Sequence, residues 1–205
     1  MDMQNDELSR ATKMSEAEMK EFLKEVEKVA ETAAELYSRE QVEKAMDKVA
    51  EKITAQLADK NPILLSVMQG AVALTGGLLT RLYFPLELDY IHATRYRGKT
   101  QGDKVHWLVK PNLDFEGRNI LIVDDVLDGG LTLAEIVKYC KEKGAAEVFT
   151  VVLIDKQVKR EIGGLQKADF VACTTGDDYL FGYGMDYKEY LRNASGIFAV
   201  DKAYL

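Results

Sequence analysis

Two cysteines, Cys140 and Cys173, are all the thiol chemistry in these 205 residues. Cys140 falls on the apolar stripe of a helical pattern and Cys173 in a strand-like run. Both read as buried, reduced thiols rather than as a disulfide or a nucleophile. No stretch approaches the ~20 apolar residues of a membrane span. The opening Met1-Asp2-Met3-Gln4-Asn5-Asp6 is acidic and has no signal-peptide hydrophobic region, so the expected location is the cytoplasm, with no membrane partner. Positive charge is outnumbered, with 27 Lys and Arg against 34 Asp and Glu. A net charge of −7 without an Arg/Lys cluster argues against a nucleic-acid partner, and any anionic ligand must find a local pocket of donors. No GxGxxG follows the first strand, which removes a Rossmann-type oxidoreductase. Internal repeats and low-complexity tracts are absent as well.

What remains is an ordinary globular composition, 47% apolar and 30% charged, at a length suited to one elaborated domain. Residues 1–59 read as a polar helical segment packed on the core. Ser15-Glu16-Ala17-Glu18 and Ser38-Arg39-Glu40-Gln41 both fit the capping box. Met19, Phe22, Val26 and Val29 then share one helix face, as do Val42, Met46, Val49, Ile53 and Leu57. From Asn61 strands and helices alternate. Ile63 to Met68 is a strand, followed by Gln69-Gly70 and a helix to about Tyr83. Leu86 to Thr94 and Val105 to Val109 form a hairpin whose long tip, 95–104, is rich in Gly, Lys, Arg and Thr. Loops of that length are commonly functional. Ile120 to Val123 is a strand buried on both faces. The helix after it stops at Gly144, and Val148 to Ile154 is a further buried strand ending in Asp155-Lys156. Short β-like pieces, Phe170 to Thr174 and Ile197 to Val200, follow around an aromatic, Gly-rich segment. The alternation predicts an α/β fold with a mainly parallel twisted sheet flanked by helices. Its expected divisions are 60–167 as an α/β core and 168–205 as a C-terminal segment.

The chemistry concentrates in Ile120-Leu121-Ile122-Val123-Asp124-Asp125-Val126-Leu127-Asp128-Gly129-Gly130-Leu131-Thr132. Ligands of open α/β sheets bind outside the carboxyl ends of the strands, where these acids and glycines fall. Successive N–H groups of Gly129, Gly130, Leu131 and Thr132 can cradle an anion at a helix N-terminus. A plain capping box, Thr132-Leu133-Ala134-Glu135, competes with that reading, because Glu135 folded back on the cap would repel a phosphate. The adjacent acids Asp124 and Asp125 weigh in favour of a ligand. Closing a buried strand, they need a donor-rich partner such as vicinal sugar hydroxyls or hydrated Mg²⁺.

This stretch resembles the ribose-phosphate motif of type I phosphoribosyltransferases. Further matches narrow the resemblance to the hypoxanthine-guanine enzymes and extend it over about 60–200. They are Val67-Met68-Gln69-Gly70, Arg95-Tyr96, Asp155-Lys156, and Phe181-Gly182-Tyr183-Gly184-Met185-Asp186-Tyr187 with Arg192. The resemblance implies a type I phosphoribosyltransferase fold with a small hood subdomain at 168–205 that contacts the base. It implies conversion of 5-phosphoribosyl-1-pyrophosphate and hypoxanthine or guanine to IMP or GMP and pyrophosphate, with Mg²⁺, in a homodimer or homotetramer. Asp124 and Asp125 would hold the ribose hydroxyls, directly and through metal, and Asp128 to Thr132 the 5′-phosphate. Asp128 would take the proton of purine N7, work for which neighbouring negative charge would raise its proton affinity. Lys156 would donate to the 6-oxo group, favouring it over a 6-amino group. Tyr179 would stack on the base and main-chain groups around Leu180 would meet its edge. Asp186 would be a further metal ligand, mainly through water. Gln69, Gly70 and Arg192 would bind pyrophosphate, Arg192 with its planar fork. Arg95 and Tyr96 would belong to a lid over the reactants.

Three residues depart from the family's pattern. Gln69 stands where many relatives place a basic residue, in a turn that often contains a cis non-proline peptide, so its contact would be main-chain through Gly70. Arg95 replaces a small residue, and Asp178 occupies a position that is often basic. Lys159 and Arg160 read as a solvated face. The alternative functions are a phosphoribosyltransferase for xanthine or a pyrimidine, and a nucleotide-sensing RNA-binding regulator on the same fold.

Overall fold

A computed structural model describes residues 14–95 and 105–205. Both capping boxes form as read. The Ser15 hydroxyl and Glu18 exchange bonds at the start of α1 (Glu16–Thr32), and Ser38 and Gln41 at the start of α2 (Arg39–Leu57). Between the helices lies β1 (Ala34–Tyr37), a strand that local pattern does not announce.

The main sheet has six strands: β2 (Ile63–Met68), β3 (Glu87–Arg95), β4 (Val105–Val109), β5 (Asn119–Leu127), β6 (Glu147–Lys156) and β7 (Phe170–Thr175). Their order is β4-β3-β2-β5-β6-β7, parallel except for the edge strand β4, which pairs antiparallel with β3. The chain leaves β2 toward β3 through α3 (Val72–Leu79) and leaves β5 toward β6, the opposite direction, through α4 (Leu131–Glu142). Crossovers between parallel strands are right-handed as a rule, so two running in opposite directions put their helices on opposite faces and cover the sheet on both sides. Hence Ile120, Leu121, Ile122 and Val123 are all buried. The strand order reverses between β2 and β5, and such a switch point opens a crevice at the strands' carboxyl ends.

Helix α3 is shorter than expected, ending at Leu79 rather than near Tyr83. The Thr80 hydroxyl and the Arg81 guanidinium both donate to the Gly77 carbonyl, satisfying it from side chains where the next helical turn would have done so. The division at 168 also shifts. Strand β7 completes the main sheet, whereas β8 (Leu180–Phe181) and β9 (Ile197–Ala199) form a separate antiparallel sheet in the order β1-β9-β8. That small sheet therefore draws a strand from the segment 1–59. Its cover is α1, whose Phe22, Val26 and Val29 pack on Phe181, Tyr187 and Val200. Both cysteines are buried and free, and burial pushes their thiols up to about 12 for Cys140 and about 11 for Cys173.

Candidate active site

The crevice at the β2–β5 switch point is walled by acids. Asp124, only 8% exposed, closes the continuous buried run of β5 that begins at Ile120, and Asp125 follows it partly exposed. Backbone donors serve them locally: the Asp125 N–H donates to Asp124 Oδ1 at 3.0 Å and the Val126 N–H to Asp125 Oδ1 at 2.8 Å. Burial raises both carboxyls above the usual aspartate range. The charge of Asp125 pushes Asp124 further up, while hydrogen bonds and the charge of Arg192 pull Asp125 back. Two ionised acids here require a cation or a set of hydroxyl donors beside them. From β2 the turn Met68-Gln69-Gly70 enters through a cis Met68–Gln69 peptide. A side chain at Gly70 would collide with the Asp125 carboxylate, so only glycine lets this turn reach the acids. Its carbonyl in turn lies against Gly184.

One residue beyond β5 the Asp128 carboxylate meets Lys156, whose ammonium donates to Asp128 Oδ2 at 3.0 Å. Parallel pairing makes this contact, because Leu127 on β5 is in register with Asp155 on β6. The neighbour of Asp128 is thus an ammonium, not the negative charge expected from sequence. Asp177 also approaches Lys156, at 3.9 Å. Next, Gly130 caps α4 in the left-handed conformation, φ 81°, and the helix begins at Leu131. The capping box at Thr132 does not form: Thr132 is the second helical residue and Glu135 lies beyond the first three. The first-turn N–H groups of Leu131, Thr132 and Leu133 consequently lie at the helix end, where an anion is stabilised.

Arg160 corrects the expected solvated face. Its side chain is 8% exposed, and Nη1 donates to the carbonyls of Leu127, Asp128 and Lys156 at 3.2, 2.9 and 2.7 Å. The same guanidinium pairs with Asp155, while its Nε is buried without a partner among the described residues. One side chain thus ties the ends of β5 and β6 together directly beneath Asp128 and Lys156. The segment after it folds back on the glycine loop: the Glu161 N–H donates to the Gly129 carbonyl and the Leu165 N–H to the Gly130 carbonyl. The Glu161 carboxylate occupies the space a side chain at Gly129 would need, placing an acid at the rim of the cradle.

The 176–192 stretch forms the opposite wall. Tyr179 is 44% exposed and meets Tyr187 edge to face at 6.1 Å, and Leu180 is buried in β8 opposite Ala199. Arg192 donates to the Gly184 carbonyl at 2.8 Å and to Asp186 Oδ1 at 2.8 Å, with Glu189 at 3.3 Å. The other oxygen of Asp186 accepts the Glu189 N–H. Arg192 and Asp186 therefore come to the site as a pair. Among the described residues no three His, Cys, Asp or Glu side chains converge as a metal cluster, so Asp124, Asp125 and Asp186 do not form one by themselves. The backbone of Arg95 ends β3, opposite Val105, and Tyr96 lies outside the described residues.

A family model described as the phosphoribosyl transferase domain matches residues 32–189. The chain belongs to that family. A hypoxanthine-guanine phosphoribosyltransferase from Bacillus subtilis (strain 168) is 31% identical over 77% of this chain and 87% of its own. A bifunctional protein TilS/HprT from Listeria innocua is also 31% identical over 77% of this chain, which spans only 24% of that protein. A hypoxanthine phosphoribosyltransferase from Trypanosoma cruzi, a point mutant complexed with the product IMP, superposes with a TM-score of 0.76 at 26% identity. That superposition covers 82% of this chain and 91% of the other. The match to the phosphoribosyl transferase domain begins at residue 32, earlier than the motif resemblance, and so takes in β1 and α2. It leaves Arg192 and all of α1 but Thr32 outside.

Sequence reading missed the roles of Arg160, Glu161 and Leu165 in this phosphoribosyl transferase, and it named Tyr187 only within the matched 181–187 motif. Arg160 carried one faint signal, an acid five residues before it at Asp155. Glu161 and Leu165 carried none, because their contacts depend on a loop folding back across the sheet end.

Proposed function

We propose that this chain is a purine-salvage phosphoribosyltransferase that converts hypoxanthine or guanine, with 5-phosphoribosyl-1-pyrophosphate, to IMP or GMP and pyrophosphate. The observation that carries the reading is the Asp128–Lys156 pair standing at the mouth of the glycine cradle. A carboxylate and an ammonium side by side match a purine edge that offers an N7 proton and a 6-oxo acceptor. The names of the curated relatives support the same substrates.

In this reading the 5′-phosphate accepts N–H groups from Gly129 to Thr132, and Asp124 and Asp125 hold the ribose 2′ and 3′ hydroxyls. Tyr179 stacks on the base, main-chain groups around Leu180 meet its Watson–Crick edge, and Lys156 donates to its carbonyl. Breaking the C1–pyrophosphate bond leaves positive charge on the ribose ring, which the acids beneath it stabilise, and negative charge on the leaving group. Gly70 and Arg192 receive that charge, Arg192 turning part of its fork from Asp186 to phosphate oxygens. The base attacks C1 with inversion as Asp128 takes its N7 proton.

A buried acid pair that resists ionisation fits a divalent cation. Mg²⁺ typically uses one or two carboxylates together with substrate oxygens and water. Asp124 and Asp125 would hold it, with Asp186 contributing through water, and bound there it would neutralise pyrophosphate charge. Within the family resemblance the assembly is a homodimer or homotetramer, and the cytoplasm is where phosphoribosyl donor and free bases meet. No described helix is long and apolar enough to cross a membrane.

The test is incubation with 5-phosphoribosyl-1-pyrophosphate, Mg²⁺ and each free nucleobase in turn, with nucleoside monophosphates resolved by chromatography. IMP and GMP are the expected products. Product from adenine, xanthine or a pyrimidine alone, or none at all, would reject the assignment.

A further inference from the structure

Helix α1 precedes the family match in all but its last residue, yet it grips the turn that carries Asp186 and Arg192. Between those two residues lie Tyr187, Lys188, Glu189, Tyr190 and Leu191, and α1 engages Tyr187, Lys188 and Tyr190 directly. The Tyr187 hydroxyl donates to Glu25 Oε1 at 2.7 Å, and Lys188 Nζ meets the same oxygen at 2.5 Å. Tyr190 packs edge to face on Phe22 at 5.3 Å, and Leu191 packs against the cluster containing Phe22, Val26 and Val29. Glu189 looks the other way, its N–H donating to Asp186 and its carboxylate facing Arg192.

The turn itself is not one its sequence favours. Tyr187 and Tyr190 exchange both backbone bonds at 2.9 Å, closing a two-residue hairpin around Lys188 and Glu189. Both central residues are left-handed, at φ 48° and 75°, and Leu191 is left-handed at 64°. Hairpin turns of this kind favour Asn and Gly, because a Cβ disfavours positive φ. A Lys-Glu pair needs outside contacts to stay there. Glu25 supplies them on one flank, through both the residue before the bend and the residue in it.

We infer that α1 is a positioning element for the leaving-group site, with Glu25 fixing the 187–190 turn so that Asp186 and Arg192 are presented to pyrophosphate. The inference rests on the proposed transferase reading and adds a residue outside the family match to the group that sets affinity for the donor's pyrophosphate. Glu25 touches no reactant in this scheme; it acts through Tyr187 and Lys188.

Three full-length variants test it: Glu25→Ala, Glu25→Gln and Lys188→Met. Wild type must first form IMP from hypoxanthine and 5-phosphoribosyl-1-pyrophosphate. Its failure to do so rejects the transferase reading, and this inference with it. Given activity, Glu25→Ala should raise KM for the donor, and the inhibition constant of Mg–pyrophosphate, about tenfold, short of the hundredfold that an ångström of misplacement can cost. KM for hypoxanthine should stay within about twofold, since uniform loss of folded protein changes neither KM. Glu25→Gln, which still accepts from Tyr187, should recover part of the donor affinity. Lys188→Met should reproduce the donor effect from the other side of the contact, even if Glu25→Ala folds poorly. Donor and pyrophosphate constants equal to wild type in Glu25→Gln and Lys188→Met, with only a lower melting temperature, would reduce α1 to a structural brace and overturn the inference.

Discussion

Asp128 and Lys156 share one hydrogen bond, and each makes a separate prediction. Asp128→Asn keeps an acceptor for Lys156 but cannot take a proton, so turnover should fall by roughly 10²–10⁴ while thermal stability stays near wild type. Turnover at the wild-type level would remove Asp128 as the base. Lys156→Met removes the proposed donor to a 6-oxo group, and the ratio of kcat/KM for hypoxanthine over adenine should contract, chiefly by loss on hypoxanthine. An unchanged ratio would move base selection elsewhere. Arg160 belongs beside them although it faces away from any ligand. Arg160→Met strands the Asp155 carboxylate, itself 15% exposed, and frees three carbonyls beneath the site. Breaking such a pair costs about 3–5 kcal/mol, which urea denaturation would resolve. Stability within error of wild type would mean the carbonyls find other donors. Nothing local in Lys159-Arg160 separates the buried residue from its solvated neighbour. Only the fold-back of 161–165 onto Gly129 and Gly130 closes over it.

Among elements, the loop joining β5 to α4 depends most on backbone freedom. Gly130 holds φ 81° with the Leu165 backbone packed where a side chain would project. Gly130→Ala should cost at least about 1–2 kcal/mol from the left-handed backbone alone, and the displaced loop should weaken binding of the phosphoribosyl donor. Isothermal titration beside a denaturation curve would check both, and wild-type affinity would show that the cradle tolerates the shift. The strand and helix in front of and behind this loop were legible because their cues are local: a run of apolar β-branched residues, then apolar residues at helical spacing. The start of the helix was not. Thr132-Leu133-Ala134-Glu135 satisfies a capping pattern, but Gly130 turns the chain into the helix two residues earlier. Strand β1 was hidden for another reason. Ala34–Tyr37 is four residues long, and its partner β9 lies more than 150 residues away.

For the whole molecule, the buried acids set a pH dependence. Asp124 and Asp125 both hold protons above the ordinary aspartate range, chiefly through burial. An acid whose folded-state pKa exceeds its unfolded value stabilises the fold below the unfolded value. It loses that contribution as pH rises through the folded one. The ligand-free protein should therefore lose stability as pH climbs from about 4, the unfolded aspartate value, through the raised range. Asp124→Asn should flatten that slope and raise the melting temperature near neutrality by about 2–4 °C for each kcal/mol recovered, at the expense of activity. Mg²⁺ with the phosphoribosyl donor should flatten the wild-type slope by binding the ionised pair. Thermal melts at about pH 5 and about pH 8 decide the matter. A flat wild-type profile, or a lower melting temperature for Asp124→Asn, would show that the pair is not under charge strain.

By itself the sequence determined the alternation of β2 to β7 with its helices and the acidic-then-glycine corner, while Lys156 stood out only through the family resemblance. The alternation and the corner depend on neighbours a few residues apart, where sterics, periodicity and chain reversal act directly. Tertiary structure alone decided that Lys156 lies 3.0 Å from Asp128, that Arg160 is buried beneath them, and that the hood takes a strand and a helix from the N-terminal segment. Those outcomes follow from strand register and from loops packing across the sheet end. The residues involved are far apart in the chain, and no local propensity selects which of them meet.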